Sequence, residues 1–241
     1  MGEFGDGFRP DTPCGSLDAA CTYPAQRLDL SRWKITLPSG EPGKPKEVLQ
    51  PELTTFSVAP WFGVLDDCAG VQFRAAVDGV TTSGSGYPRT ELREMTGDGT
   101  VKASWDPTQG THTLTVREAV TALPHDKPHV VSAQIHDADD DVTVFRLEGS
   151  NLYITKGDDT HYHLVTDSYE LGTVFEAKFV VENGQVKAYY NGELETVIEH
   201  TEPGNYFKAG AYTQANCSNS APCSADNYGE VEIYDLKVSD S

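Results

Sequence analysis

The 241-residue sequence contains no run of apolar residues long enough to cross a bilayer, so no membrane partner is expected. It has no internal repeat and no low-complexity tract, which excludes a solenoid and a predominantly disordered chain. It has no long amphipathic helical pattern. Positive charge is scarce: 18 Lys and Arg stand against 37 Asp and Glu, a formal net charge of -19. Affinity for nucleic acid comes mainly from Lys and Arg on phosphates, so no nucleic acid partner is expected. The 5 cysteines form no C-x-x-C pair, which argues against zinc.

The acidity argues less strongly against an anionic ligand than the net charge suggests. Exposed charges are screened beyond about 8 Å at physiological salt. A local cluster of Arg, Lys and His in a cleft can therefore bind an anion despite acidic surroundings.

With 22 Gly, 14 Pro and 10% aromatics, the chain reads as globular and turn-rich. Its length suits one all-β domain with a sizeable core. Residues 1–24 read as a flexible N-terminal arm, and 25–241 as the domain. Short β-branched and aromatic runs recur, broken by Gly, Pro, Asn and Asp. They are Arg32–Leu37, Val71–Val77, Thr111–Val120, Val130–His136, Val142–Leu147, Asn151–Thr155, Val174–Val181, Val186–Tyr190, Tyr206–Gln214 and Glu230–Val238. Many alternate polar with apolar, the period of a half-buried strand. Asn183-Gly184 and Asn191-Gly192 predict tight hairpins. Short helical turns are expected near Pro51–Phe56 and Ala59–Phe62. The whole predicts a sandwich or jelly roll.

Cys217 and Cys223 flank a short polar loop that suits a local disulfide. The preferred second pair is Cys21–Cys68, pinning the arm to the domain and leaving Cys14 free; Cys14–Cys21 is the rival. Disulfides imply an oxidising compartment. The first residues are acidic and show no signal peptide, so the expectation is a secreted protein whose signal has been removed.

Three segments place unusual polar groups on one strand face. In Arg89–Glu94, Arg89, Glu91 and Arg93 share a face. Taken alone, this row also fits a solvated surface ladder. Its alternative is a cation pair oriented by Glu91, since the planar Arg fork matches a carboxylate. A Gly-rich stretch, 81–88, leads into it. In Gln134-Ile135-His136, Gln134 and His136 share a face while Ile135 points to the core. The acidic loop Asp137–Asp141 follows without EF-hand spacing, and no metal or cofactor is expected. In Tyr206–Gln214, Tyr206, Lys208, Gly210, Tyr212 and Gln214 share a face. Gly210 there leaves room for something to approach.

These three motifs, in this order and spacing, resemble those of alginate lyases in polysaccharide lyase family 7. The similarity runs from about Arg27 to Val238 and includes Trp33-Lys34-Ile35-Thr36-Leu37-Pro38. The resemblance implies a β-jelly-roll sandwich of two curved antiparallel sheets with a concave substrate groove. Its lids would be the loops near 81–88 and 137–142. It implies endo-acting β-elimination of alginate to 4,5-unsaturated oligosaccharides by a monomer. In this family Ile at the middle of the Gln-x-His motif accompanies a preference for polyguluronate, so Ile135 points to polyguluronate or mixed blocks.

A lyase acting on a uronate needs a neutraliser for the carboxylate, a base for the C5 proton and an acid for the leaving oxygen. Arg89 and Gln134 fit the neutraliser, and the resemblance gives them that role with Arg93 nearby. His136 fits the base and Tyr212 the acid. For mannuronate, with C5 inverted, Tyr212 would serve as both. Lys208 would bind a substrate carboxylate or lower the Tyr212 pKa. Arg74 is a further subsite candidate, and Glu91, Arg93 and Gln214 complete the substrate-binding set.

Three rivals remain open. A retaining glycoside hydrolase needs two carboxylates about 5 Å apart. Glu91 and Glu94 lie on opposite strand faces, and Glu193 and Glu195 sit beside a hairpin. A non-catalytic acidic-polysaccharide-binding module would not need His136 and Tyr212 aligned with Arg residues. A lyase of another polyuronate, such as glucuronan, is the third.

Overall fold

The computed structural model describes residues 21–241. After a 3₁₀ turn at Pro24–Gln26, the chain enters β1 (Trp33–Glu41) and β2 (Lys44–Val48). A second 3₁₀ turn, Glu52–Thr55, precedes β3 (Phe62–Val64), β4 (Val71–Ala76), β5 (Arg89–Thr96) and β6 (Val101–Lys102). The middle of the chain forms β7 (Thr111–Ala122), β8 (His129–His136), β9 (Asp141–Glu148), β10 (Asn151–Lys156) and β11 (Asp159–Thr166). The last strands are β12 (Phe175–Glu182), β13 (Gln185–Tyr190), β14 (Glu193–Glu199), β15 (Tyr206–Thr213) and β16 (Tyr228–Asp240).

The strands form two antiparallel sheets. One runs β11-β10-β9-β8-β15-β5-β1-β2, with β6 on β5; the other runs β14-β13-β12-β7-β16-β4-β3. This is the expected jelly-roll sandwich. The core lies between the sheets because one face of each strand is apolar. Trp33, Ile35 and Leu37 of β1 pack there with Leu92, Phe207 and Phe145 from their own sheet. Phe73, Phe175 and Phe179 meet them from the other. Burying one large apolar side chain stabilises the fold by about 1.5–3 kcal/mol, and all of these are essentially fully buried.

Both Asn-Gly hairpins form as predicted. Asn183 and Gly184 join β12 to β13, and Asn191 and Gly192 join β13 to β14, with φ of 53°, 73°, 50° and 85°. Positive φ at both central residues is the type I′ requirement. The helical turn near Pro51–Phe56 is present, but none forms at Ala59–Phe62. There Val58 bridges Phe62, and Phe62 opens β3 against Phe73.

Cys21–Cys68 and Cys217–Cys223 are bonded, with Cα separations of 5.8 and 4.7 Å. Cys14 and residues 1–20 of the expected arm lie outside the described residues. Residues 21–24 are tied down by the first disulfide and by the buried ring of Pro24. No helix of the described residues is long and apolar enough to cross a membrane.

Gly210 sits where the β5 backbone approaches closely. Its φ is 138°, and a Cβ there would lie 2.5 Å from the Thr90 carbonyl oxygen, 2.9 Å from Glu91 Cα and 3.1 Å from the Phe73 ring of the core. A register shift against β8 falls between Ala209 and Tyr212. Against β5 the register is unbroken, with Lys208 opposite Arg93 and Tyr212 opposite Arg89.

Candidate active site

The polar face of the nine-stranded sheet carries a cleft of about 410 Å³. Its floor comes from β1, β5, β15 and β8. Residues 82–85 form a wall at the Tyr212 end of the strands, and Asp139–Asp141 form one at the His136 end. With walls at opposite strand ends, an occupant must lie across the strands.

Register brings the three motifs together. Lys208 lies opposite both Arg93 of β5 and Gln134 of β8, Tyr212 lies opposite Arg89, and Tyr206 lies opposite His136. Arg89, Arg93, Gln134, His136, Lys208 and Tyr212 all line the cleft.

Glu91 is the electrostatic hub. It is 1% exposed, accepts from Lys208 Nζ at 2.6 Å and Arg89 Nη1 at 3.3 Å, and accepts a hydrogen bond from the Gln134 amide nitrogen. Burial pushes its carboxyl upward. Lys208, Arg89 and the hydrogen bonds outweigh that and hold it below the usual carboxylate range. Glu91 is thus a fixed anion that orients its neighbours. Lys208 is pushed down to about 8 by its own burial, which exceeds the opposing pull of Glu91.

Arg89 lies over the Tyr212 ring at 3.8 Å, and its Nε is buried without a partner. Gln134 retains a second N–H beyond its bond to Glu91. His136 stacks on Tyr206 with centroids 5.2 Å apart, and its Nδ1 lies 2.8 Å from the Asp137 carbonyl oxygen. A carbonyl only accepts, so Nδ1 carries the proton and Nε2 keeps its lone pair. Burial pushes the His136 pKa below the ordinary imidazole value, which favours the neutral ring. The acidic loop satisfies itself: Asp137 Oδ1 accepts the N–H groups of Asp139 and Asp140 at 2.8 and 2.9 Å. Among the described residues no group of three or more His, Cys, Asp or Glu could hold a metal.

Two expected ligand-binding residues, Arg74 and Gln214, are placed differently. Arg74 belongs to β4 in the other sheet, facing away from its core neighbour Phe73. It pairs with Glu230 at 2.6 Å and stacks on Tyr228 at 3.9 Å, outside the cleft. Gln214 does not line the cleft. It accepts from Arg146 Nη1 at 2.9 Å, and its amide nitrogen is buried without a partner. Arg93 lines the cleft; two of its five N–H groups donate to the carbonyls of Glu94 and Ala103, and its guanidinium lies over the Tyr206 ring at 3.8 Å. Tyr206, Lys34, Lys102 and Ser85 also line the cleft and were not among the expected site residues. Tyr206 shares the polar face of its motif, Ser85 lies in the expected lid 81–88 and Lys34 in the Trp33–Pro38 segment, but none was singled out as a site residue.

The alginate lyase family model matches residues 28–240. The chain belongs to the alginate lyase family. A crystal structure of the alginate lyase from Corynebacterium sp. is 68% identical, with a TM-score of 0.91, covering 92% of this chain and 100% of that one. Alginate lyase AlgAT5 from polysaccharide lyase family 7 is 48% identical, with a TM-score of 0.86, covering 91% and 99%. Alginate lyase A1-II′ is 26% identical with a TM-score of 0.77 over 92% of this chain and 100% of that one. It was solved as a variant in complex with a product described as GGG. An alginate lyase of Klebsiella pneumoniae is 34% identical over 80 residues. That stretch is 32% of this chain and 26% of that protein. The chain is thus similar to solved alginate lyases over nearly its whole described length.

Proposed function

We propose that the chain cleaves alginate internally by β-elimination, preferring polyguluronate or mixed blocks. The observation that carries the reading is the unprotonated Nε2 of His136 in a cleft shared with Arg89, Gln134 and Tyr212.

The chemistry follows from these groups. Arg89 and the spare Gln134 N–H bind the C5 carboxylate and spread the charge that develops when the neighbouring proton leaves. His136 Nε2 takes the C5 proton. The released electron pair becomes the C4–C5 double bond, and the C4–O4 bond breaks. Tyr212 delivers its phenolic proton to O4. One proton is removed and one returned, and no water is consumed. With C5 inverted, as in mannuronate, the proton faces Tyr212, which then serves as base and acid.

The guluronate preference rests on Ile135, which is fully buried on the core side and acts, if at all, through the placement of its neighbours Gln134 and His136. The GGG and GGMG oligosaccharides of the A1-II′ complexes support guluronate as a ligand of such a cleft. The two disulfides support an oxidising compartment, and we read the protein as a secreted monomer.

The test is ultraviolet absorbance of the conjugated uronate, with separate polyguluronate and polymannuronate blocks. A rise that is faster on polyguluronate supports the whole reading. Binding without any rise refutes elimination. Viscosity falling well ahead of new chain ends identifies internal cleavage. Recovery from culture medium and the size of the native particle test secretion and the monomer.

A further inference from the structure

We propose that Ser85 is a positioning residue for Tyr212: its hydroxyl takes the phenolic hydrogen bond before substrate binds, and donates to the phenol oxygen once the phenolic proton has turned to O4 and is transferred. The inference rests on the reading of Tyr212 as the acid.

Ser85 Oγ lies 2.7 Å from Tyr212 Oη, and among the described residues this is the one hydrogen bond that the phenol makes. Ser85 Oγ also accepts the Tyr87 N–H at 3.1 Å. A hydroxyl has two acceptor lone pairs and one proton. With one lone pair taken by Tyr87, Ser85 keeps a lone pair and its own proton for Tyr212. Rotation about the Cβ–Oγ bond switches it from acceptor to donor without moving the side chain. The cations near Tyr212 cannot do this. Arg89 stacks on the ring face at 3.8 Å, and Lys208 stands 5.9 Å from the ring centroid. They favour negative charge on the phenol through space, whereas Ser85 acts on the oxygen.

The loop is built to keep Ser85 there. Its N–H donates to the Thr82 carbonyl at 3.2 Å. The next carbonyl, of Gly86, accepts from Asn216 Nδ2 at 2.9 Å, and that of Pro88 accepts the Thr213 N–H at 3.1 Å. Thr213 and Asn216 follow Tyr212 in the chain. The loop and the phenol are therefore held as one unit, and a plain wall would not require a hydroxyl at this position.

The step balances within the proposed reaction. Tyr212 gives its proton to O4, the phenolate oxygen accepts the Ser85 proton as a hydrogen bond, and protonated His136 returns a proton through solvent. Hydrogen bonds to charged groups are worth enough that losing one slows a step by about ten- to a hundredfold.

The test compares S85A, S85T, Y212F and the double variant S85A/Y212F on polyguluronate blocks. S85A is expected to lower kcat about ten- to a hundredfold with KM changed less than about twofold. S85T is expected to restore kcat, and S85A/Y212F to be no slower than Y212F. Rates are taken per folded molecule, with the folded fraction read by near-ultraviolet circular dichroism, so a destabilised S85A still gives an answer. Wild-type kcat in S85A, beside an inactive Y212F, overturns the role of Ser85 alone. Full activity in Y212F overturns the assignment of Tyr212 itself.

Discussion

Glu118 is a carboxyl in the middle of the sandwich, and replacing it with Gln separates its charge from its shape. It is fully buried on β7. Its Oε1 accepts from Ser132 Oγ at 2.6 Å, and its Oε2 has no partner. Ser132 sits at a register shift of β8, two residues before Gln134. Burial pushes the Glu118 carboxyl from its ordinary 4.5 up to about 8, and the Ser132 bond offsets only part of that. The folded state therefore holds a proton that the unfolded chain releases above its ordinary value. The sign follows: stability is full below the ordinary carboxylate range and is lost as pH rises toward 8. One unit is about 1.4 kcal/mol, so the loss totals about 5 kcal/mol, of which about 3 kcal/mol has accrued at neutrality. For a domain of this size, such a loss lowers Tm by about 10 °C. E118Q keeps an acceptor for Ser132 and cannot ionise. Melting by near-ultraviolet circular dichroism from mildly acidic to mildly alkaline pH is expected to show the wild type losing stability while E118Q stays much flatter. Parallel curves for the two proteins would refute the reasoning.

H136N is expected to lower kcat on polyguluronate by about a hundred- to ten-thousandfold with little change in KM, read by uronate absorbance. E91Q is expected to lower kcat and raise KM together, because Glu91 orients both Arg89 and Lys208, and wild-type values would contradict its role as the hub. Because burial holds His136 below the ordinary imidazole value, the acid limb of kcat/KM is expected below that value, and protonation there removes the base. Lys208 loses its charge near 8, so KM for alginate is expected to rise above that pH. G210A combines a positive φ with a Cβ 2.5 Å from the Thr90 oxygen and is expected to cost about 3 kcal/mol or more, measured by urea unfolding. With a net charge of -19, activity on alginate is expected to rise from low to moderate salt. A monotonic fall would contradict this.

The sandwich was legible because alternation marks which residues face the core, and Trp33, Ile35, Phe73 and Phe179 all obey it. The hairpins were legible because Asn-Gly has few other uses. Strands with little apolar content, such as β2 and β11, were not legible: their burial patterns are mostly exposed or intermediate. Parity shows which residues share a face, but not which sheet the strand joins. Arg74 was therefore grouped with the cleft although β4 lies in the opposite layer. The strand that crowds Gly210 was not legible, since a neighbouring backbone leaves no local pattern. Ser85 lay in the expected lid 81–88 but was not singled out, because a Gly-Ser loop has no period to read and its partner lies 127 positions away.

The order of strands in the two sheets also bears on how the protein is made. β15 is the centre of one sheet, between β8 and β5, and β16 is the centre of the other, between β7 and β4. Both come last in chain order among the strands of the described residues. A nascent chain stopped before β15 has each sheet split in two with unpaired inner edges, the kind of edge that invites pairing with other chains. It has neither a finished cleft floor nor a closed core. No fragment that stops before β15 carries the reacting groups in register, so the appearance of catalysis during synthesis or refolding would time the seating of that strand.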